Sequence, residues 1–180
     1  MRGKLGAAID DLKPTARDVS WVATGNLHLT VKFLGEVAED GIEAVAGALT
    51  SSVAGVGAFD AQIEGLGAFP SAARPRVVWA GVTAGAGTMA DLAGRVDDAL
   101  AALDFSREAR PFAPHITLGR VREPGRMPAL TEALHGAAGR GFGRLPVARV
   151  SLMRSELSPR GARYTELSPA SLGGAGGGGV

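Results

Sequence analysis

Alternation of apolar and polar positions is the strongest local signal in this chain. Val19, Trp21 and Ala23 alternate with other residues and predict a strand. After the turn residues Gly25 and Asn26, the run LHLTVKFL alternates again and predicts a second strand that ends at Gly35. Residues 39–54 predict a weak helix. Phe59, Ala61 and Ile63 alternate with polar neighbours, and after the turn PSAARP the segment RVVWAGV predicts another strand. Thr88 with Asp91 three residues later resembles an acidic capping box, opening a helix with Leu92, Val96, Leu100 and Leu103 on one face. The second half predicts a strand around HITLGRV, a helix across PALTEALHGAAG, and late strands over LPVARVSLMRSEL and ARYTELS. Strands and helices are intermixed without strict alternation, which points to α+β with largely antiparallel sheets rather than a doubly wound parallel fold. The tail GGAGGGGV, residues 173–180, has nothing to bury and is expected to be disordered.

Composition narrows the function classes. With 180 residues the chain fits one domain or two small lobes, and 46% apolar with 21% charged residues is ordinary globular usage. The absence of cysteine excludes disulfides, thiolate zinc sites, iron–sulfur clusters and a thiol nucleophile. Catalysis must therefore come from His, carboxylates, hydroxyls, Lys or Arg. No apolar run approaches the roughly 18 residues of a membrane span, and MRGKLGAAIDDLKP lacks the apolar stretch of a signal peptide, so the expected location is the cytoplasm. The net charge of +1 hides an asymmetry. Residues 1–104 carry eight basic and thirteen acidic side chains, whereas residues 105–180 carry eleven basic, all arginine, and five acidic. Arginine's planar fork suits phosphate oxygens, so a polyanionic partner fits the C-terminal part; the plainer reading is that arginine serves as the solubilising cation.

Three histidines occur, and two head the same pattern: His28-Leu-Thr30-Val and His115-Ile-Thr117-Leu. In a strand, side chains two apart share a face, so each imidazole is accompanied by a hydroxyl roughly 6.5 to 7 Å further along. In the first motif Leu27, Leu29, Val31 and Phe33 take the opposite, core-facing side, leaving His28, Thr30 and Lys32 on a cleft; Ile116 and Leu118 point inward in the second. If the two half-chains pack as a pseudo-symmetric pair, both His and both Thr can face one groove.

Two imidazoles suit phosphodiester cleavage without a metal. Water attacking phosphorus must lose a proton while the departing alkoxide gains one, on opposite sides of an in-line displacement. Imidazole titrates near 6.5, so a neutral and a protonated ring are both accessible at cellular pH, each contributing about 10² to 10⁴ in rate. Threonine hydroxyls and a nearby arginine would hold the non-bridging oxygens. Arg120 is the nearest candidate, but its parity differs from that of His115. It reaches the groove only if Gly119 introduces a bulge or the strand ends there.

The pair HLTVKFLGEV and PHITLGRV resembles the two H-x-T-x signatures of the two-histidine phosphoesterase superfamily, specifically the bacterial RNA 2′,3′-cyclic phosphodiesterase (LigT-like) branch. The resemblance extends over VSWVATGNLHLTVKFLGEV, PRVVWAGV, FAPHITLGRV and LMRSELSPRGARYTELS, about residues 17 to 168. It implies a bilobal α+β fold with a central groove, spanning residues 1–172 as a single domain. It also implies hydrolysis of a terminal 2′,3′-cyclic phosphate on an RNA 3′ end to a 2′-phosphate, with neither metal nor cofactor, by a protein expected to be monomeric. His28 matches the proton donor to the leaving 3′ oxygen and His115 the acceptor that activates water. Thr30 and Thr117 match the phosphate-contacting threonines, and Arg120 the basic residue after the second motif. Family members usually begin with a strand of the type RLFVAIDL followed by a long helix. This chain is expected to begin inside that helix, without the first strand. A relative acting on a small cyclic nucleotide or an ADP-ribose cyclic phosphate, and a noncatalytic RNA-end binder, are the alternatives.

Other residues carry plainer readings. Lys32 lines the groove or is solvated, and His135 is an exposed residue near a helix end, where its cation is tolerated. Trp21, Phe33, Phe69, Trp79 and Phe112 read as core packing, with Phe112 the one to consider for base stacking because it lies just before the second motif. Glycine-rich GVTAGAGT lacks the GKS or GKT ending of a P-loop, and no H-E-x-x-H occurs.

Overall fold

The computed structural model describes residues 1–158 and 161–173. The chain is interleaved between two compact units. One comprises residues 1–30, 61–84 and 114–145, and the other residues 31–60, 85–113 and 146–180. Every strand pairing with a resolved register is antiparallel, as the alternation implies.

The first unit is a sheet covered on one face by two helices. Helix α1 (Arg2–Leu12) buries Leu5, Ala8, Ile9 and Leu12, the spacing of a single helical stripe, and a 3₁₀ turn containing Pro14 stops it. Strands β1 (Val19–Trp21), β2 (Phe59–Ser71), β3 (Arg74–Val82), β4 (His115–Val121) and β5 (Gly141–Val147) form a sheet in the order β1-β4-β3-β2-β5. Helix α4 (Pro128–Gly136) starts with proline in its first turn, where no amide hydrogen is needed. Its Leu130 and Leu134 join the α1 stripe over Leu66, Ala68, Val78, Ala80, Ile116 and Leu118 of the sheet. Full burial of a leucine or isoleucine side chain contributes about 1.5 to 3 kcal/mol, so this face anchors the unit. The sheet's other face is not part of that core.

The second unit packs α2 (Ile42–Ser52) and α3 (Ala86–Ala101) with the hairpin β6 (Arg149–Ser158) and β7 (Gly161–Ser171). Its core joins Val45, Leu49 and Val53 to Leu92, Val96, Leu100, Ala170 and Leu172. Arg95 on α3 donates from Nε to Ser52 O at 2.8 Å and from Nη2 to Ala54 O at 2.9 Å, satisfying carbonyls at the end of α2.

Several expectations need correction. The run LHLTVKFL is not a regular strand: only Leu29 makes a bridge, to Ile116. Beyond Thr30, Val31 and Leu34 join the second core, while Phe33 is 72% exposed rather than inward. Lys32 neither lines a groove nor is solvated. Its side chain is 4% exposed, and Nζ donates to Asp97 Oδ1 at 2.5 Å and to Ser106 O at 2.7 Å. Packing and an ion pair thus override the local alternation. Thr88 does not cap α3. That helix starts two residues earlier, after Gly85 in the left-handed conformation at φ 81°, and Leu103 lies beyond its end. LPVARVSLMRSEL is two strands, β5 and β6, separated at Ala148 and belonging to different sheets. Gly173 is tied down, its N–H donating to Val56 O at 2.7 Å; the rest of the glycine tail, 174–180, lies outside the described residues. Among the described residues no helix is long and apolar enough to cross a membrane.

Candidate active site

Both histidine motifs fall in the first unit, so they are not contributed one by each lobe. They are brought together by the antiparallel bridge between Leu29 and Ile116. Leu29 packs on the core and Ile116 is 1% exposed, which turns their neighbours toward the face opposite the helices. The same register sets His28 opposite Thr117 and Thr30 opposite His115. Directly opposed residues have Cβ atoms about 4.5 to 5.5 Å apart and diagonal ones about 7 to 8 Å, so the imidazoles form one diagonal of a four-residue cluster and the hydroxyls the other.

Local structure fixes the first imidazole. The 3₁₀ turn Thr24–Asn26 follows β1, closed by Asn26 N–H to Ala23 O at 2.8 Å and by Leu27 N–H to Thr24 O. It presents the Asn26 carbonyl to His28, whose Nδ1 lies 2.7 Å away. A carbonyl only accepts, so Nδ1 carries the hydrogen in that bond. Helix α1 holds the turn from behind. Arg2 Nη1 donates to Gly25 O at 2.7 Å, and Gly6 leaves room for Thr24, whose Oγ1 would lie 2.8 Å from a Cβ placed there.

His115 opens β4 and meets the edge of Phe69, ring centroids 5.0 Å apart and planes at 80°. Phe69 in turn lies 5.3 Å from Trp79. Trp79 pairs with Thr117 on one side and Gly67 on the other, and its indole extends across Gly67, where a Cβ would sit 2.4 Å from the ring. Neither Phe69 nor Trp79 joins the helix-covered core, so these two aromatics, read from sequence as core packing, flank the cluster instead. Trp21 does pack on that core, and half-buried Phe112 belongs to the second unit. Alternation alone cannot tell one apolar face from another; the signal that singles out Trp79 is the small residues Gly67 and Gly81 under its ring.

Arg120 reaches the same face through a bulge. The β3–β4 register pairs Trp79 with Thr117, Val78 with Gly119 and Val77 with Arg120, so Leu118 is the extra residue. Because Val77 and Trp79 share a face, Thr117 and Arg120 do too. Exposed Arg120 thus meets the condition its spacing imposed, one residue earlier than Gly119. His135, exposed in the last turn of α4, has no part in the cluster. It borders a separate hollow of about 390 Å³ with Arg126, Met127 and Glu132.

The sequence matches the model of the 2′-5′ RNA ligase superfamily over residues 3–159. The chain belongs to that superfamily. Curated relatives agree: proteins named RNA 2′,3′-cyclic phosphodiesterase from Methanothermobacter thermautotrophicus and Aeropyrum pernix are each 34% identical over 93% of this chain, covering 90% and 94% of their own lengths. Among solved structures, a Thermus thermophilus protein superimposes with a TM-score of 0.78 at 31% identity, covering 96% of this chain and 92% of its own. E. coli LigT, solved in complex with 3′-AMP, gives 0.72 at 25% identity, covering 94% and 91%. This superfamily member therefore has the LigT-like α+β fold of the two-histidine phosphoesterases. The resemblance carried by the two H-x-T-x motifs is borne out at the level of family and fold.

Proposed function

We propose that this chain hydrolyses RNA terminal 2′,3′-cyclic phosphates to 2′-phosphates, with His28 and His115 as the acid and base and no metal ion. The reading rests on one observation: the antiparallel bridge between Leu29 and Ile116, whose register sets each motif's histidine opposite the other's threonine. A phosphate over that cluster meets an imidazole at either end of a diagonal, the arrangement an in-line displacement needs. Protonated His28 gives its Nε2 proton to the departing 3′ oxygen, while neutral His115 takes one from the attacking water. The P–O3′ bond breaks as the new P–O bond forms, and the rings exchange protonation states over the turnover. Thr30, Thr117 and Arg120 donate to the non-bridging oxygens, where charge accumulates. The names of the curated relatives support the substrate class.

The test is hydrolysis of an oligoribonucleotide ending in a 2′,3′-cyclic phosphate, assayed in chelator, with the product phosphate located on O2′ or O3′. His28→Ala and His115→Ala are each expected to lose several hundredfold or more in kcat, and the wild-type rate to be bell-shaped in pH. Wild-type turnover in either variant, or a 3′-phosphate product, refutes the assignment.

A further inference from the structure

The arginines of the site-bearing sheet are distributed unevenly. Among β2, β3 and β4 the basic residues besides His115 are Arg74, Arg76 and Arg120, all toward the β2–β3 hairpin. The register fixes which of them share the face of the histidine cluster. Phe69 pairs with Val77 and Ser71 with Arg74, which puts Arg74 at the hairpin end of the sheet, beyond Val77 and Arg120. Pro75, next to it in β3, is fully buried. Arg122 extends β4 by two residues past Arg120, its N–H donating to Asp18 O at 2.9 Å, which returns it to that face.

Starting at His115 and Gly81, the face presents Thr117 with Trp79, then Arg120 with Phe69, and the pair Arg74 with Ser71 follows at the hairpin end. Each step is roughly 6.5 to 7 Å, so the row runs about 20 Å from the imidazole to the last arginine. That is longer than a single nucleotide needs. Arg74 and Arg122 are exposed and make no ion pair among the described residues. Exposed arginines without carboxylate partners, in line with a phosphate-handling cluster and separated from it by two aromatic rings, fit the repeating phosphates and bases of a single strand. A 2′,3′-cyclic phosphate requires a ribose 2′-hydroxyl, so that strand is RNA.

Building on the cyclic-phosphodiesterase reading above, we propose that the RNA strand leading to the terminal cyclic phosphate runs along this face toward the β2–β3 hairpin, its phosphates held by Arg74 and Arg122. The substrate is then a strand rather than a free nucleotide. Arg120, at the cluster, serves both.

The experiment compares an oligoribonucleotide ending in a 2′,3′-cyclic phosphate with free 2′,3′-cyclic AMP, for the wild type and for Arg74→Gln, Arg122→Gln and the double variant, across a salt series. Wild-type kcat/KM is expected to be higher on the oligonucleotide and to fall with salt. Each substitution should lower it severalfold and remove about 0.7 from the slope of its logarithm against log salt, the figure for one phosphate contact on a single strand. Turnover of cyclic AMP should be unchanged. Unchanged oligonucleotide kinetics in the double variant would overturn the track and leave the cyclic-phosphodiesterase reading standing. Equal losses on both substrates would also overturn it, because the arginines would then act at the cluster. A wild type inactive on both substrates would defeat the underlying reading, and the track with it.

Discussion

Gly67→Ala tests whether the aromatic flank positions the second imidazole. A Cβ at residue 67 would lie 2.4 Å from both Cη2 and Cζ2 of Trp79, against about 3.5 to 4.0 Å for an ordinary carbon contact. The ring must therefore retreat by about 1 Å or more. It has little room, since Cζ3 is 3.2 Å from a Cβ built on Gly81 and Phe69 lies 5.3 Å away, edge-on in turn to His115 at 5.0 Å. Overpacking of this kind costs about 1 to 3 kcal/mol, and at about 2 to 4 °C per kcal/mol a mid-range cost of about 2 lowers the melting temperature by about 4 to 8 °C. A displacement of about 1 Å passed on to His115 can cost up to about a hundredfold in rate. The assay pairs thermal melting with kcat on the cyclic-phosphate oligonucleotide. Unchanged melting and unchanged kcat would refute the contact. A lowered melting point with wild-type kcat would show that the ring is packed there but does not position His115.

The same substitution elsewhere should have the opposite sign. Gly94 lies inside α3, where an added Cβ would have nothing within 4 Å, so Gly94→Ala should stabilise by about 0.5 to 1 kcal/mol, read as a higher urea midpoint with kcat unchanged. Lys32→Met should destabilise by about 2 to 3 kcal/mol, because it strands the Asp97 carboxylate, 16% exposed, with only the Glu108 amide and Arg107 at 3.8 Å. Its dependence on pH follows from the hydrogen bond of Lys32, which holds the Asp97 carboxyl below its ordinary 3.8. A depressed carboxyl pKa contributes stability above the unfolded value and loses it as pH falls through the folded one. The stability gap between wild type and Lys32→Met should therefore be full at neutral pH and shrink below about pH 4, checked by urea melts at both; an equal gap in acid would argue against the ion pair as its source.

Much of this architecture is legible in the sequence because the elements concerned are consistent at every level. RVVWAGV and HITLGRV alternate and pair as strands, and Leu92, Val96 and Leu100 form the buried stripe of α3. Misreadings arise where a distant partner decides. LHLTVKFL alternates throughout, but Lys32 is captured by Asp97, sixty-five residues away, and the segment leaves the sheet after Thr30. LPVARVSLMRSEL alternates across Ala148, yet its halves pair with different strands, a choice no local pattern encodes. At the site, the histidines and threonines stand out by repetition, whereas Phe69 and Trp79 do not, because an apolar side chain on the functional face of a strand has the same parity signal as one in the core. The chain's asymmetry of arginine was visible. That Arg120 shares the face of Thr117 required the register.

The repeated H-x-T motif gains its meaning from the direction in which the two copies meet. Run antiparallel about the Leu29–Ile116 pair, the copies place each histidine across from a threonine, so the imidazoles are held apart on a diagonal with a hydroxyl beside each. Parallel copies in register would instead oppose imidazole to imidazole and hydroxyl to hydroxyl. A slip of a single residue would be worse, turning one motif's polar pair into the core and Leu29 or Ile116 out of it. Burial of Leu29 and Ile116 against the α1 and α4 core therefore does more than stabilise the sheet. It selects the one register in which each motif's histidine stands opposite the other's threonine, and the bulge at Leu118 then adds Arg120 to that face.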